Sequence, residues 1–175
     1  MVPAAVQIRR TNLFLLAAAL LGAGLCSAAA PPYPLQGRAA PDFALRATSG
    51  VNFRLSEHRG EVVMVVFWGS RCSQCAPQLA ALSRLVSTYR PAGLAALAVN
   101  VDDDQRAAVE YAVTHPVGFP VLLDPAKGVA REYRVDNLPM LLLVDRAGVI
   151  RHVHRDYRSG SDAMYLDQVK VLLDE

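Results

Sequence analysis

The sequence predicts an α/β domain: a mixed central sheet flanked by helices, with an N-terminal β-hairpin. Three observations predict it. Val62–Trp68 is an unbroken apolar run rich in β-branched and aromatic residues, the pattern of a strand buried on both faces. Leu79, Leu82, Leu85 and Val86 follow at helical spacing, so this strand leads into a helix. Further apolar runs then alternate with helical patterns and end in a hairpin and a helix, which calls for a sheet covered on both faces.

The chain begins differently from the way it continues. Arg9 and Arg10 precede an apolar stretch over residues 13–25, and Ser27, Ala28, Ala29 and Ala30 supply small residues. That is the order of a secretory signal, with cleavage expected after Ala28 or Ala29. Left uncleaved, residues 13–30 are just long enough to serve as a membrane anchor. Cys26 raises lipidation, but Leu25 stands where a lipoprotein signal has a small residue. The expected layout is a leader over 1–29, a Pro-rich linker over 30–41 and one domain over 42–175, with 53% hydrophobic residues to fill a core. Arg9 and Arg10 are the leader's only charges. The remaining 16 basic residues balance the 16 acidic ones, which removes any electrostatic case for nucleic-acid binding.

Within the domain, Phe43 to Leu45 and Val51 to Leu55 alternate around Thr48-Ser49-Gly50 and read as a hairpin. The central strand follows, then a helix expected over residues 72 to about 90, ended by Pro91 and Gly93. Residues 94–101 read as a second buried strand. Asp102, Asp103 and Asp104 are expected to cap a helix running to about Thr114. Consecutive acids lack the loop spacing of a calcium site. Val121–Leu123 is a short strand, and Asp124-Pro125 is expected to start a helix to about Tyr133. Met140–Val144 and residues 149–154 pair across Asp145-Arg146-Ala147-Gly148. Ser161 or Asp162 is expected to cap the last helix. His152 and His154 fall on one face of their strand, read as an exposed face because a metal site needs more ligands.

The chemistry rests on Cys72 and Cys75, the two cysteines outside the leader. A structural disulfide gains more by closing a long loop, so a pair two residues apart suits chemistry better than stability. At the start of a helix, unpaired N–H groups and the dipole favour an anion. Cysteines so placed have a pKa lowered from ~8.5 into roughly the 3.5–7.5 range. Cys72 is therefore expected as the thiolate, with Cys75 near enough to close a small disulfide with it.

The segment Phe67-Trp68-Gly69-Ser70-Arg71-Cys72-Ser73-Gln74-Cys75 resembles the active-site segment of thioredoxin-fold proteins. Val135-Asp136-Asn137-Leu138-Pro139-Met140 resembles their cis-proline loop. With its leader, the chain from about Ala40 onward is similar to the TlpA/ResA-like branch of periplasmic thiol-disulfide oxidoreductases. That resemblance implies a thioredoxin fold whose central insertion spans about Asp104 to Tyr133. It implies a redox-active Cys72–Cys75 disulfide, with Cys72 attacking a partner's disulfide and Cys75 resolving the mixed disulfide. It also implies a cis Pro139, which leaves the Leu138 backbone free to pair with an extended substrate. Trp68, beside the site, reads both as core packing and as a wall of the substrate groove. No cofactor is expected. The partners implied are disulfide-containing exported proteins and a membrane thiol-disulfide electron donor. Cytochrome c maturation is a family-level expectation, and reduction is favoured over oxidation because no histidine lies between the cysteines.

The chain also departs from the pattern. Val66 stands where thioredoxins carry a buried aspartate, and Gln78 stands where the TlpA/ResA-like branch often has a glutamate. Neither can take a proton from Cys75. Arg71 replaces a tryptophan and Met140 a threonine, and Pro77 comes earlier than the thioredoxin kink proline and is expected to bend or delay the helix. The rival function is thiolate binding of copper or zinc. Copper chaperones of this fold space their cysteines one residue wider and add a distant histidine. A peroxidase reading lacks the threonine-x-x-cysteine start.

Overall fold

The computed structural model describes residues 33–175. The expected leader and cleavage site lie outside the described residues. Two strands, β1 (Ala44–Arg46) and β2 (Asn52–Arg54), form a separate antiparallel hairpin. Then come β3 (Val62–Trp68), α1 (Cys75–Tyr89), β4 (Leu94–Asn100), α2 (Gln105–Thr114), β5 (Val121–Leu123) and α3 (Gly128–Glu132). The chain closes with β6 (Met140–Val144), β7 (Ile150–His154) and α4 (Ser161–Asp174). This is the thioredoxin-fold arrangement the sequence predicts, and the mixed five-stranded sheet has the order β5-β4-β3-β6-β7.

The strand β3 sits at the centre because every one of its residues is buried. Its alternation divides the core. Val62, Met64, Val66 and Trp68 join Leu79, Leu82 and Val86 of α1 and Tyr165, Val169 and Leu172 of α4 on one face. Val63, Val65 and Phe67 join Phe43, Leu55, Val129 and Tyr133 on the other. Each large apolar side chain covered in this way contributes about 1.5–3 kcal/mol. A slip of one residue in β3 would exchange the two faces, so its register is strongly specified.

That register decides what meets at the carboxyl end of β3. The strand runs parallel to β4, with Trp68 opposite Asn100, so Ser70 falls beside Asp102. It runs antiparallel to β6, with Phe67 opposite Met140, so Pro139 and Leu138 fall beside Trp68 and Gly69. The loops after β3, after β4 and before β6 therefore converge.

Several boundaries differ from expectation, each for a local reason. The helix α1 begins at Cys75 rather than at residue 72, so Cys72 lies in the preceding turn. Pro77, its third residue, has no N–H to give to an earlier turn, and it is tolerated because first-turn N–H groups are unpaired anyway. It delays the helix. The start of α3 is Gly128 rather than Asp124. The buried Asp124 carboxylate accepts the N–H groups of Gly128 at 2.9 Å and Ala130 at 2.8 Å, and Lys127 is left-handed with φ 54°. Neither Ser161 nor Asp162 caps α4. Gly160, at φ 89°, takes the cap position, the Ser161 hydroxyl accepts the Arg158 N–H at 3.0 Å, and Asp162 accepts the Tyr157 hydroxyl at 2.6 Å. Of the three consecutive acids, only Asp104 caps α2, accepting the Arg106 N–H at 2.9 Å.

The part of the Pro-rich stretch that is described is docked onto the domain. The Tyr33 hydroxyl lies 2.6 Å from the Tyr133 carbonyl oxygen, Gly37 N–H donates to Ile150 at 2.7 Å, and Ala39 bridges Val149. Among the described residues, no helix is long and apolar enough to cross a membrane.

Candidate active site

Cys72 and Cys75 are joined as a disulfide with a Cα–Cα distance of 5.3 Å. They are unequal. Cys75, in the first turn of α1, is 0% exposed, whereas Cys72, in the turn ahead of it, is only partly covered. The turn is tight because the Cys72 N–H donates to Gly69 and the Cys75 N–H donates to Cys72, both at 3.1 Å. Arg71, Ser73 and Gln74 are exposed around the pair.

Beside Gly69 lies the Leu138–Pro139 bond, which is cis. Pro139 is buried and Leu138 half-buried. The Leu138 side chain reaches over Gly69: a Cβ there would lie 3.3 Å from Leu138 Cδ1. The approach to this loop is pinned from one side, where Asp136 pairs with Arg155 and the Asn137 amide donates to the Arg155 carbonyl at 2.9 Å.

Trp68, expected as core packing or as a wall of the groove, is 1% exposed, and so takes the first of these roles. A covered ring cannot touch a client. It packs tilted on Tyr111 at 5.1 Å between centroids, and its Nε1 has no hydrogen-bond partner. Its place in the core follows from the β3 alternation, which turns Trp68 to the same face as Val66 and α1.

Asp102 was not distinguished from its neighbours by the sequence. Its Oδ2 accepts the Ser70 N–H at 2.9 Å and the Asn100 amide at 2.9 Å, while its own N–H donates to Asn100 Oδ1 at 3.0 Å. The buried Asn100 side chain thus ties Asp102 back to β4, and Asp102 ties down the turn carrying the cysteines. The signal was present: an asparagine ends an otherwise apolar strand, two residues before an aspartate.

The positions expected to matter behind Cys75 are both covered. Val66 is 0% exposed and apolar. Gln78, also 0% exposed, donates from Nε2 to the Tyr165 hydroxyl at 3.0 Å, and its Oε1 has no partner. A buried acceptor left unsatisfied costs about 1–3 kcal/mol. Burial raises the Tyr165 phenol above its usual range, so the hydroxyl stays protonated.

The two strand histidines are not on an open face. His154 packs on the Tyr165 ring at 4.9 Å, and its Nε2 lies 2.7 Å from Gln168 Oε1. Burial lowers its pKa below the usual 6.5, against the opposing pull of Gln168 and Asp156. His152 stacks beside it at 6.5 Å and is lowered by burial and by His154. Among the described residues, no three His, Cys, Asp or Glu side chains group as metal ligands.

A thioredoxin-fold sheet carrying a half-exposed cysteine disulfide beside a cis-proline loop defines a thiol-disulfide exchange protein. The comparisons narrow this. The AhpC/TSA family matches residues 36–153. The chain is similar to the thiol-disulfide oxidoreductase ResA of Geobacillus kaustophilus, 32% identical over 117 residues and covering 67% of each protein. It is also similar to the ResA of Geobacillus thermodenitrificans, 30% identical over 135 residues, 77% of this chain and 78% of that one. Among solved structures it matches a putative thiol:disulfide interchange protein DsbE from Chlorobium tepidum at TM-score 0.76 and 30% identity, covering 79% of this chain and 97% of that one. The chain belongs to the AhpC/TSA family and, within it, to the ResA-type thiol-disulfide oxidoreductases.

Proposed function

We propose that the chain reduces disulfides in exported client proteins, with Cys72 as the attacking sulfur. The observation that supports this is the unequal cover of the pair: Cys72 is only partly covered, and Cys75 is fully buried. In the reduced protein the Cys72 thiolate attacks one sulfur of the client disulfide, and the client's other sulfur leaves as a thiolate. Cys75 then loses its proton and attacks Cys72. The Cys72–Cys75 bond forms as the mixed disulfide breaks, and the client leaves as a dithiol. An extended client segment takes its place along the Leu138 backbone. A membrane thiol-disulfide protein supplies the two electrons that restore the dithiol.

The leader supports export to the periplasm, either free after cleavage or held by the uncleaved apolar stretch. The proposed clients are exported proteins whose cysteines must be thiols before use, apocytochrome c among them.

Trapping tests the assignment. A Cys75→Ser protein keeps the attacking sulfur and loses the resolving one. It is expected to accumulate a covalent client on Cys72, identified by mass spectrometry of the non-reduced adduct. Adducts on Cys72→Ser instead, through Cys75, would overturn the order of attack. No adduct on either variant would overturn the exchange reading.

A further inference from the structure

Gln78 is the polar side chain next to Cys75 on the buried side of α1. The two residues are one turn apart, both are 0% exposed, and they share a helix face. Helical side chains lean toward the N-terminus of their helix, so the Gln78 amide leans over the turn that holds Cys75.

The amide's orientation is set from α4. The Tyr165 hydroxyl has a single proton, which it donates to the Asp156 carbonyl oxygen at 3.4 Å. It therefore receives from Gln78, whose Nε2 lies 3.0 Å away. This leaves Oε1 as the free end, buried and with no hydrogen-bond partner while the cysteines are joined. A disulfide sulfur has no proton to offer. A thiol does.

We propose that Gln78 sets the reduction potential of the pair, its Oε1 accepting the Cys75 S–H in the dithiol form, with Tyr165 as the positioning residue that aims it. The inference rests on the thiol-disulfide reading above. The step balances with an external dithiol as reductant: its two sulfurs join, the Cys72–Cys75 bond breaks, and two electrons and two protons pass to Cys72 and Cys75. The new Cys75 proton meets the acceptor left unsatisfied in the disulfide form. A contact made in one redox form only shifts the equilibrium toward that form. Gln78 thus favours the dithiol and makes the pair a milder reductant than an apolar residue would.

The test is equilibration of the full chain with dithiothreitol buffers of graded potential, reading the Cys72–Cys75 state by alkylation and mass. Gln78→Leu is expected to lower the equilibrium constant for forming the dithiol about tenfold, a potential about 30 mV more negative for two electrons. Tyr165→Phe keeps the amide but not its aim, and is expected to move the potential the same way by less. A merely structural role would destabilise both redox forms alike and leave the potential unmoved. An unchanged or raised potential in a folded Gln78→Leu protein overturns the proposal, and an unchanged one in Tyr165→Phe overturns the part given to Tyr165. Should Gln78→Leu not fold, Gln78→Asn replaces it with the same expected fall, because the shorter side chain withdraws the oxygen. A wild-type chain whose two sulfurs do not titrate as a two-electron pair would overturn the exchange reading instead.

Discussion

The Asp102 carboxylate accepts the Ser70 N–H at 2.9 Å, and through this bond the end of β4 holds the turn that carries both cysteines. The same oxygen takes the Asn100 amide, so removing it strands two donors. Hydrogen bonds to a charged group carry about 1.5–3 kcal/mol. Asp102→Ala is expected to lower stability by about 2 kcal/mol, a loss of that order. It should also slow exchange with clients, because Cys72 then rides on a looser turn. Urea unfolding of the oxidised protein and insulin reduction by the reduced protein measure the two effects. Full stability and full rate in Asp102→Ala would remove Asp102 from the site.

Gly69 lies between Asp102 and Leu138 with no space for a side chain. A Cβ there would come 3.0 Å from Asp102 Oδ1 and 3.3 Å from Leu138 Cδ1. Asp102 cannot swing aside without losing its two bonds. Gly69→Ala is therefore expected to cost about 1–3 kcal/mol, the range for overpacking. Neighbours that share a constraint are non-additive. In Gly69→Ala/Asp102→Ala the combined loss should fall short of the two single losses taken together, and a double-mutant cycle by urea unfolding checks it. Simple additivity would show that Asp102 is not what crowds Gly69.

Most of this arrangement was legible in the residues because it is written in short-range patterns. The run from Val62 to Trp68 states its burial directly, and the Cys72-Ser73-Gln74-Cys75 spacing states its chemistry. What escaped depends on pairing between distant segments. Asp102 looks like Asp103 and Asp104 in sequence, and only the β3–β4 register carries it to Ser70. Trp68 reads in sequence both as core and as groove wall, and its packing on Tyr111, 43 residues away, decides for the core. Gln78 reads in sequence as a missing base, but its partner Tyr165 is 87 residues away on another helix. The late start of α3 had a local cause that sequence reading does convey, an aspartate that caps from four residues ahead.

His154 gives stability a pH dependence with a definite sign. Burial against α4 lowers its pKa in the folded chain below the 6.5 of the unfolded one. Between those two values the unfolded chain binds more protons, so stability rises with pH there. The contribution is fully present above about pH 6.5 and is lost as pH falls through the folded value. His152 is shifted the same way and adds to the slope. Urea unfolding at closely spaced pH values from 7.5 to about 5 should show stability falling on acidification. His154→Gln should flatten that slope, and His152→Gln/His154→Gln should flatten it further. A slope as steep in the double variant as in the wild type would place its origin elsewhere.

Resolution of the mixed disulfide needs the Cys75 proton to leave, and the buried side of the site offers no group that can take it: Val66 is apolar and the Gln78 amide is not a base. Gln78→Glu supplies one at the same distance along the helix. The Tyr165 hydroxyl, which now receives from the amide, would turn to donate to the carboxylate. Burial raises a carboxyl's pKa toward neutrality, where a general base works best. Positioned bases typically accelerate proton transfer by ~10²–10⁴-fold, so a rise of at least about tenfold in the resolving step is expected if that transfer limits it. The measurement is stopped-flow release of a chromogenic thiol from a mixed disulfide preformed on Cys72, followed across pH. The rate should rise with pH through the new carboxyl's titration, a feature absent from the wild type. A release rate equal to that of the wild type at every pH would mean that proton removal from Cys75 does not limit the reaction.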